Sequence, residues 1–143
     1  MKNLIVASTS TIHGGTYLSY LFPEIAQLFS ETEEVLFIPY ARPSGISHNK
    51  YTEIAQEAFS KIGKKVIGIH SIENPVEAIN NAKGIFIGGG NTFVLVSQLY
   101  KKNILEVLRE AIFNGLPYLG TSAGSNICGT TMNTTNDMPI VYL

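Results

Sequence analysis

The chain has 143 residues, of which 45% are hydrophobic and 15% charged. That balance excludes a disordered chain, because it supplies enough apolar side chains for a core and few charges to keep them solvated. Ten Lys and Arg against eleven Asp and Glu leave a net charge of -1, so there is no basic field to hold nucleic acid. The single cysteine, Cys128, excludes an internal disulfide framework and a cysteine-based metal cluster. The apolar run at the N-terminus is too short for a secretory leader or a membrane span. The chain therefore reads as one cytoplasmic domain over residues 1–143.

Leu4–Ala7 is the first predicted strand, followed by a polar loop to Gly15. Tyr17, Leu18, Leu21, Ile25 and Leu28 recur at helical spacing. Val35–Pro39 is the second strand, apolar without alternation, and the loop Tyr40–His48 carries Arg42. A helix with Tyr51, Ile54, Ala55, Ala58, Phe59 and Ile62 on one face follows, stopped by Gly63. Val66–Ile69 is the third strand. Asn74 caps the next helix, with Pro75 at its first position and Glu77 at the third. Gly84–Ile87 is the fourth strand and runs into Gly88, Gly89 and Gly90, after which Asn91 caps Thr92–Tyr100. Asn103 and Glu106 form a capping-box pair for a further helix ending at Gly115. Leu116–Leu119 is the fifth strand, Gly120–Gly124 a sharp turn, and Ser125–Cys128 a short helix. Beyond it lie a polar loop to Asp137 and an apolar tail, Met138–Leu143.

Strands and helices alternate throughout, and continuous apolar strands are buried on both faces. The expected architecture is α/β, a three-layer α/β/α sandwich with a mainly parallel sheet. Ligands of such sheets sit at the carboxyl ends of the strands.

Two turns fall at those ends. Gly120-Thr121-Ser122-Ala123-Gly124 is G-x-S-x-G between a strand and a helix. Its glycines let the backbone fold tightly, lift the Ser122 hydroxyl above the strand, and aim the Ala123 N–H at a developing oxyanion. The same residues also suit a Gly/Ser-rich turn with no chemistry. Gly88–Gly90 lets main-chain N–H groups approach a ligand closely. One of them, paired with Ala123, completes an oxyanion hole, whose donors are each worth on the order of 10²–10³ in rate. The rival use of this turn is an anion nest for phosphate. A serine nucleophile needs a base, and His13, His48 and His70 all fall in loops on the carboxyl edge. Asp137, the only aspartate, suits either an Asx turn or an acid that orients a histidine. Arg42 suits a substrate carboxylate or an ordinary surface position.

Five segments, FIPYA (Phe37–Ala41), GIHSIENPVEAI (Gly68–Ile79), IGGGNTF (Ile87–Phe93), YLGTSAGSN (Tyr118–Asn126) and TTNDMPIV (Thr134–Val141), resemble the peptidase E family in order and spacing. The resemblance covers nearly the whole chain. It implies a fold like that of class I glutamine amidotransferases, incomplete at the C-terminus. It also implies cytoplasmic, cofactor-free hydrolysis of dipeptides with an N-terminal aspartate; the charge balance and the short apolar N-terminus already argue against nucleic acid and membrane partners. Ser122 aligns with the family's nucleophile, Gly90 and Ala123 with its oxyanion donors, and Asp137 with an acid that some accounts of the family assign to its charge relay, a later glutamate being the competing candidate. The family's catalytic histidine lies beyond the last of these motifs, and the chain ends at Leu143 before reaching it. None of His13, His48 and His70 aligns with that base. The chain alone is expected to be inactive as a dipeptidase. The alternative is a non-catalytic relic of the same fold that binds acidic peptides or anions. The missing part leaves a sheet edge uncovered, so self-association is expected; a monodisperse monomer would refute it.

Overall fold

The computed structural model describes residues 4–11, 14–42 and 46–127. His13, Cys128, Asp137 and the loop and tail that follow Cys128 lie outside them. Five strands, β1 (Leu4–Ala7), β2 (Glu34–Ile38), β3 (Lys65–Gly68), β4 (Ile85–Ile87) and β5 (Tyr118–Thr121), form one sheet in the order β1-β5-β4-β2-β3. Every pairing is parallel, as the apolar runs require.

The register sorts the strand side chains by parity. Val35, Phe37, Val66, Phe86 and Leu119 point to one face, where α1 (Phe22–Leu28) and α2 (His48–Ser60) cover them. Leu36, Ile38, Ile85, Ile87 and Tyr118 point to the other, against α3 (Pro75–Asn81), α4 (Thr92–Lys101), α5 (Leu105–Phe113) and the short α6 (Ala123–Asn126). Helices therefore cover both faces. Between β1 and β5, between β4 and β2, and between β2 and β3, neighbouring strands send their chains to opposite faces. Such divergence opens a crevice at the carboxyl edge. No described helix is long and apolar enough to cross a membrane.

The caps follow the sequence in part. Ser47, Asn74 and Asn91 accept hydrogen bonds from the N–H groups of Lys50, Glu77 and Val94, satisfying donors that a helix start leaves free. Gly63 and Gly115 end α2 and α5 with positive φ, each beside a six-to-one hydrogen bond, Lys64 N to Phe59 O and Leu116 N to Ala111 O.

Four sequence expectations shift, the simplest being the last short helix, expected over Ser125–Cys128 and found at Ala123–Asn126. Tyr17 and Leu18 precede the first helix, which starts at Phe22 because Pro23 fits only a first turn; Leu18 takes a left-handed φ of 62° instead. Asn103 does not cap α5. It ends α4 in the left-handed region, φ 58°, with Asn103 N bonded to Tyr100 O and Ile104 N to Leu99 O. Asparagine tolerates that conformation, and α5 then starts without a side-chain cap. The fifth strand lies two residues later than expected: Gly120 pairs with Val6 and with Ile87, and Thr121 with Ala7. Two-sided pairing holds glycine in a strand that its own propensity opposes.

Candidate active site

Ser122 stands where β5 turns into α6. Its backbone has φ 51° and ψ -113°, a strained conformation for a residue with a side chain. Ser122 N donates to Ala7 O at 2.8 Å, and Ser122 O accepts from Ser125 N and Ser125 Oγ at 3.0 and 2.6 Å. The elbow is thus tied to β1 behind and to its own helix ahead. Tight packing makes the glycines on both sides obligatory. A Cβ on Gly120 would come within 2.5 Å of Gly124 O, and one on Gly124 would collide with Ile87 O of β4. Tyr118, fully buried, donates its hydroxyl to Gly124 O at 2.7 Å, pinning α6 to the strand that feeds it.

The glycine turn after β4 lies against this elbow. A Cβ on Gly89 would sit 2.9 Å from Ser122 Cβ. Gly90 has φ 147°, and a side chain there would collide with Ala41 O, which accepts instead from Asn91 N at 2.7 Å. Among the described residues, no acceptor takes the N–H of Gly90 or of Ala123. Two free backbone donors, one on each of two adjacent turns beside Ser122, are the raw material of an oxyanion hole.

The structure does not bring a described histidine onto Ser122, and no described residue hydrogen-bonds its hydroxyl. His48 and His70 meet each other instead, with ring centroids 5.6 Å apart, and His48 lies edge-on to Tyr40 at 5.2 Å. Lys102 Nζ is 5.1 Å from the Tyr40 ring. His70 Nε2 is 2.6 Å from Asn49 Oδ1, and its Nδ1 is buried with no partner among the described residues. That geometry fits a neutral ring whose Nε2–H donates to Asn49. Burial, then the neighbouring His48, holds the His70 pKa below the usual histidine value.

The sign of the pH effect follows. Folded His70 binds its proton less tightly than the unfolded chain does. Its contribution to stability is therefore complete above the unfolded value, about 6.5, and is lost as pH falls through the depressed folded value. The melting temperature is expected to drop over that range, less so in His70→Gln; equal slopes in the two proteins would contradict this assignment.

Sequence reasoning missed Tyr51. It is 2% exposed, stands edge-on to Phe37 with centroids 5.0 Å apart, and donates to Gly89 O at 3.2 Å. Arg42 Cζ lies 4.9 Å from the centre of its ring. Tyr17 lies beside it with a buried hydroxyl that has no hydrogen bond of good geometry among the described residues, and burial pushes the Tyr17 pKa well up, with Tyr51 adding to the rise. Ser10, Thr11, Tyr17, Arg42, Tyr51 and Ile54 line a cavity of about 450 Å³ here. Arg42 has no carboxylate partner among the described ion pairs. Tyr51 reads as one more core position on an amphipathic helix; only the packing of α2 on β4 carries its hydroxyl to the glycine turn.

A model of peptidase family S51 matches residues 4–143. A peptidase E from Shewanella denitrificans is 43% identical over 139 residues, covering 97% of this chain and 59% of the relative. A Drosophila melanogaster protein named "Probable alpha-aspartyl dipeptidase" is 40% identical over 144 residues, 99% of this chain and 59% of its own length. The crystal structure of a peptidase from an acI-B1 Actinobacterium superposes with a TM-score of 0.70 at 20% identity, over 90% of this chain and 57% of that one, which shows a shared fold. This chain thus spans about three fifths of the length of the curated relatives it matches, and within that span nearly every one of its residues is matched: the chain belongs to peptidase family S51.

Proposed function

We propose that this chain carries the nucleophile and oxyanion hole of a peptidase E-like serine dipeptidase acting on peptides with an N-terminal aspartate. Ser122 Oγ attacks the scissile carbonyl as a base from outside the described residues takes its proton, the N–H groups of Gly90 and Ala123 hold the resulting oxyanion, and Asp137 belongs to the charge relay. The observation that carries this reading is the strained Ser122 elbow, with φ 51°, packed against a second turn whose Gly90 N–H has no acceptor among the described residues. Strain of this kind is retained where it exposes a reacting group.

None of His13, His48 and His70 aligns with the family's base, so turnover by the 143-residue chain alone is expected to be negligible. An elbow and oxyanion hole without a complete triad still retain a residual acceleration of about 10³–10⁴ over water. Slow stoichiometric labelling of Ser122 by a fluorophosphonate is expected at alkaline pH, where hydroxide takes the Oγ proton as the O–P bond forms and fluoride leaves. Mass spectrometry should find the label on Ser122, and Ser122→Ala should abolish it. Label spread over other serines would refute the nucleophile; robust Asp-Leu hydrolysis lost in Ser122→Ala would refute the expected inactivity.

The second reading, a non-catalytic binder of acidic peptides, is favoured by Arg42, whose guanidinium lines the cavity beside Tyr51 without a carboxylate partner among the described ion pairs. It calls for reversible binding of Asp-Leu together with an unlabelled Ser122. Calorimetry with no heat of binding removes it.

A further inference from the structure

Tyr51 sits on α2, on the opposite face of the sheet from α6. Its hydroxyl donates to Gly89 O at 3.2 Å. Gly89 C=O and Gly90 N–H belong to one peptide unit, and no described peptide bond is cis. In a trans peptide the C=O and N–H point in opposite directions. Holding the carbonyl toward α2 therefore turns the Gly90 N–H away from α2 and toward the face that carries the elbow.

Something has to hold it there. Gly90, at φ 147°, has no side chain to restrict its φ, and the bond from Asn91 N to Ala41 O holds the following peptide rather than this one. Tyr51, by contrast, is rigidly placed. Its ring is edge-on to Phe37, its hydroxyl fills the space that a Cβ on Gly88 would need, and the Arg42 guanidinium covers its face. Accepting a hydrogen bond at the carbonyl also polarises the amide and strengthens its N–H as a donor.

We propose that Tyr51 is a positioning residue for the oxyanion hole: from the far side of the sheet it fixes the plane of the Gly89–Gly90 peptide so that the Gly90 N–H faces Ser122. This rests on the oxyanion reading above and extends it to a residue on the other face of the sheet.

The test uses the 143-residue chain labelled with ¹³C and ¹⁵N. Tyr51→Phe keeps the ring and its packing but removes the donor. The Gly89 carbonyl resonance is expected to move upfield and the Gly90 amide to change with it. Fluorophosphonate labelling of Ser122 should slow roughly three- to tenfold, the worth of one hydrogen bond. Should Tyr51→Phe fail to fold, 3-fluorotyrosine placed at position 51, a stronger donor of nearly the same shape, should move the Gly89 carbonyl the opposite way. An unmoved Gly89 carbonyl overturns the positioning role. A moved carbonyl with an unchanged labelling rate overturns its link to the oxyanion. Absence of labelling in the unaltered chain overturns the nucleophile reading itself, and the spectra separate that failure from the first.

Discussion

Phe86→Ala is expected to cost about 3–5 kcal/mol of folding stability, the usual range for deleting a buried phenylalanine. Phe86 occupies the middle of β4 and is fully buried. Its ring stacks on Phe59 of α2 at 5.4 Å between centroids and lies 5.0 Å from Phe37 of β2; Phe59 in turn touches Phe29 at 6.0 Å. Removing the central ring opens a cavity with aromatic walls that cannot collapse, because a sheet forms one side of it. A whole domain is stable by roughly 5–15 kcal/mol, so the loss is expected to remove a large share of the total. Urea denaturation checks this, with Phe86→Leu as the milder comparison. A loss below ~1 kcal/mol would place Phe86 among ordinary surface substitutions and contradict this account of the core.

Gly124→Ala is expected to damage the site more than the fold. The added methyl would collide with Ile87 O and lie 2.9 Å from Ile87 C and 3.1 Å from Ile87 Cβ. These neighbours belong to a buried central strand that cannot yield, so α6 must move. Overpacking of this kind costs about 1–3 kcal/mol. The same displacement carries Ala123 N–H and Ser122 with it, and a shift near 1 Å in a reacting constellation can cost roughly 10²-fold. Labelling of Ser122 should fall by about that factor. Gly63→Ala is the control: it strains a left-handed residue, φ 74°, at the far end of α2. Its stability loss should come with an unchanged labelling rate. Equal labelling in both variants would show that the elbow tolerates movement.

The site residues that could be read from the sequence are those whose chemistry is local. G-x-S-x-G and the triple glycine declare themselves because only glycine permits such turns, and Asn74, Asn91 and Gly63 do so because a cap acts on its immediate neighbours. Tyr51 is different: its hydroxyl meets Gly89 across 38 residues of chain, and nothing in the periodicity of α2 separates it from Ala55 or Phe59. Tyr118 is similar. Its hydroxyl reaches Gly124 O, but in sequence it is one more apolar strand position. Asn103 misled because the same side chain serves a helix start or a helix end, and the choice depends on where Leu99 and Ile104 are buried.

By itself, then, the sequence determined the alternation of strands and helices, the two-sided burial of the sheet, and the two glycine turns that frame Ser122, since each follows from side-chain size, apolarity and backbone freedom within a few residues. Tertiary structure alone decided the strand order, the two-residue advance of β5 that brings Gly120 and Thr121 into the sheet, the pairing of His48 with His70 away from Ser122, and the reach of Tyr51 to the Gly89–Gly90 peptide. Those depend on which apolar faces meet, a long-range outcome of burial that no local pattern encodes.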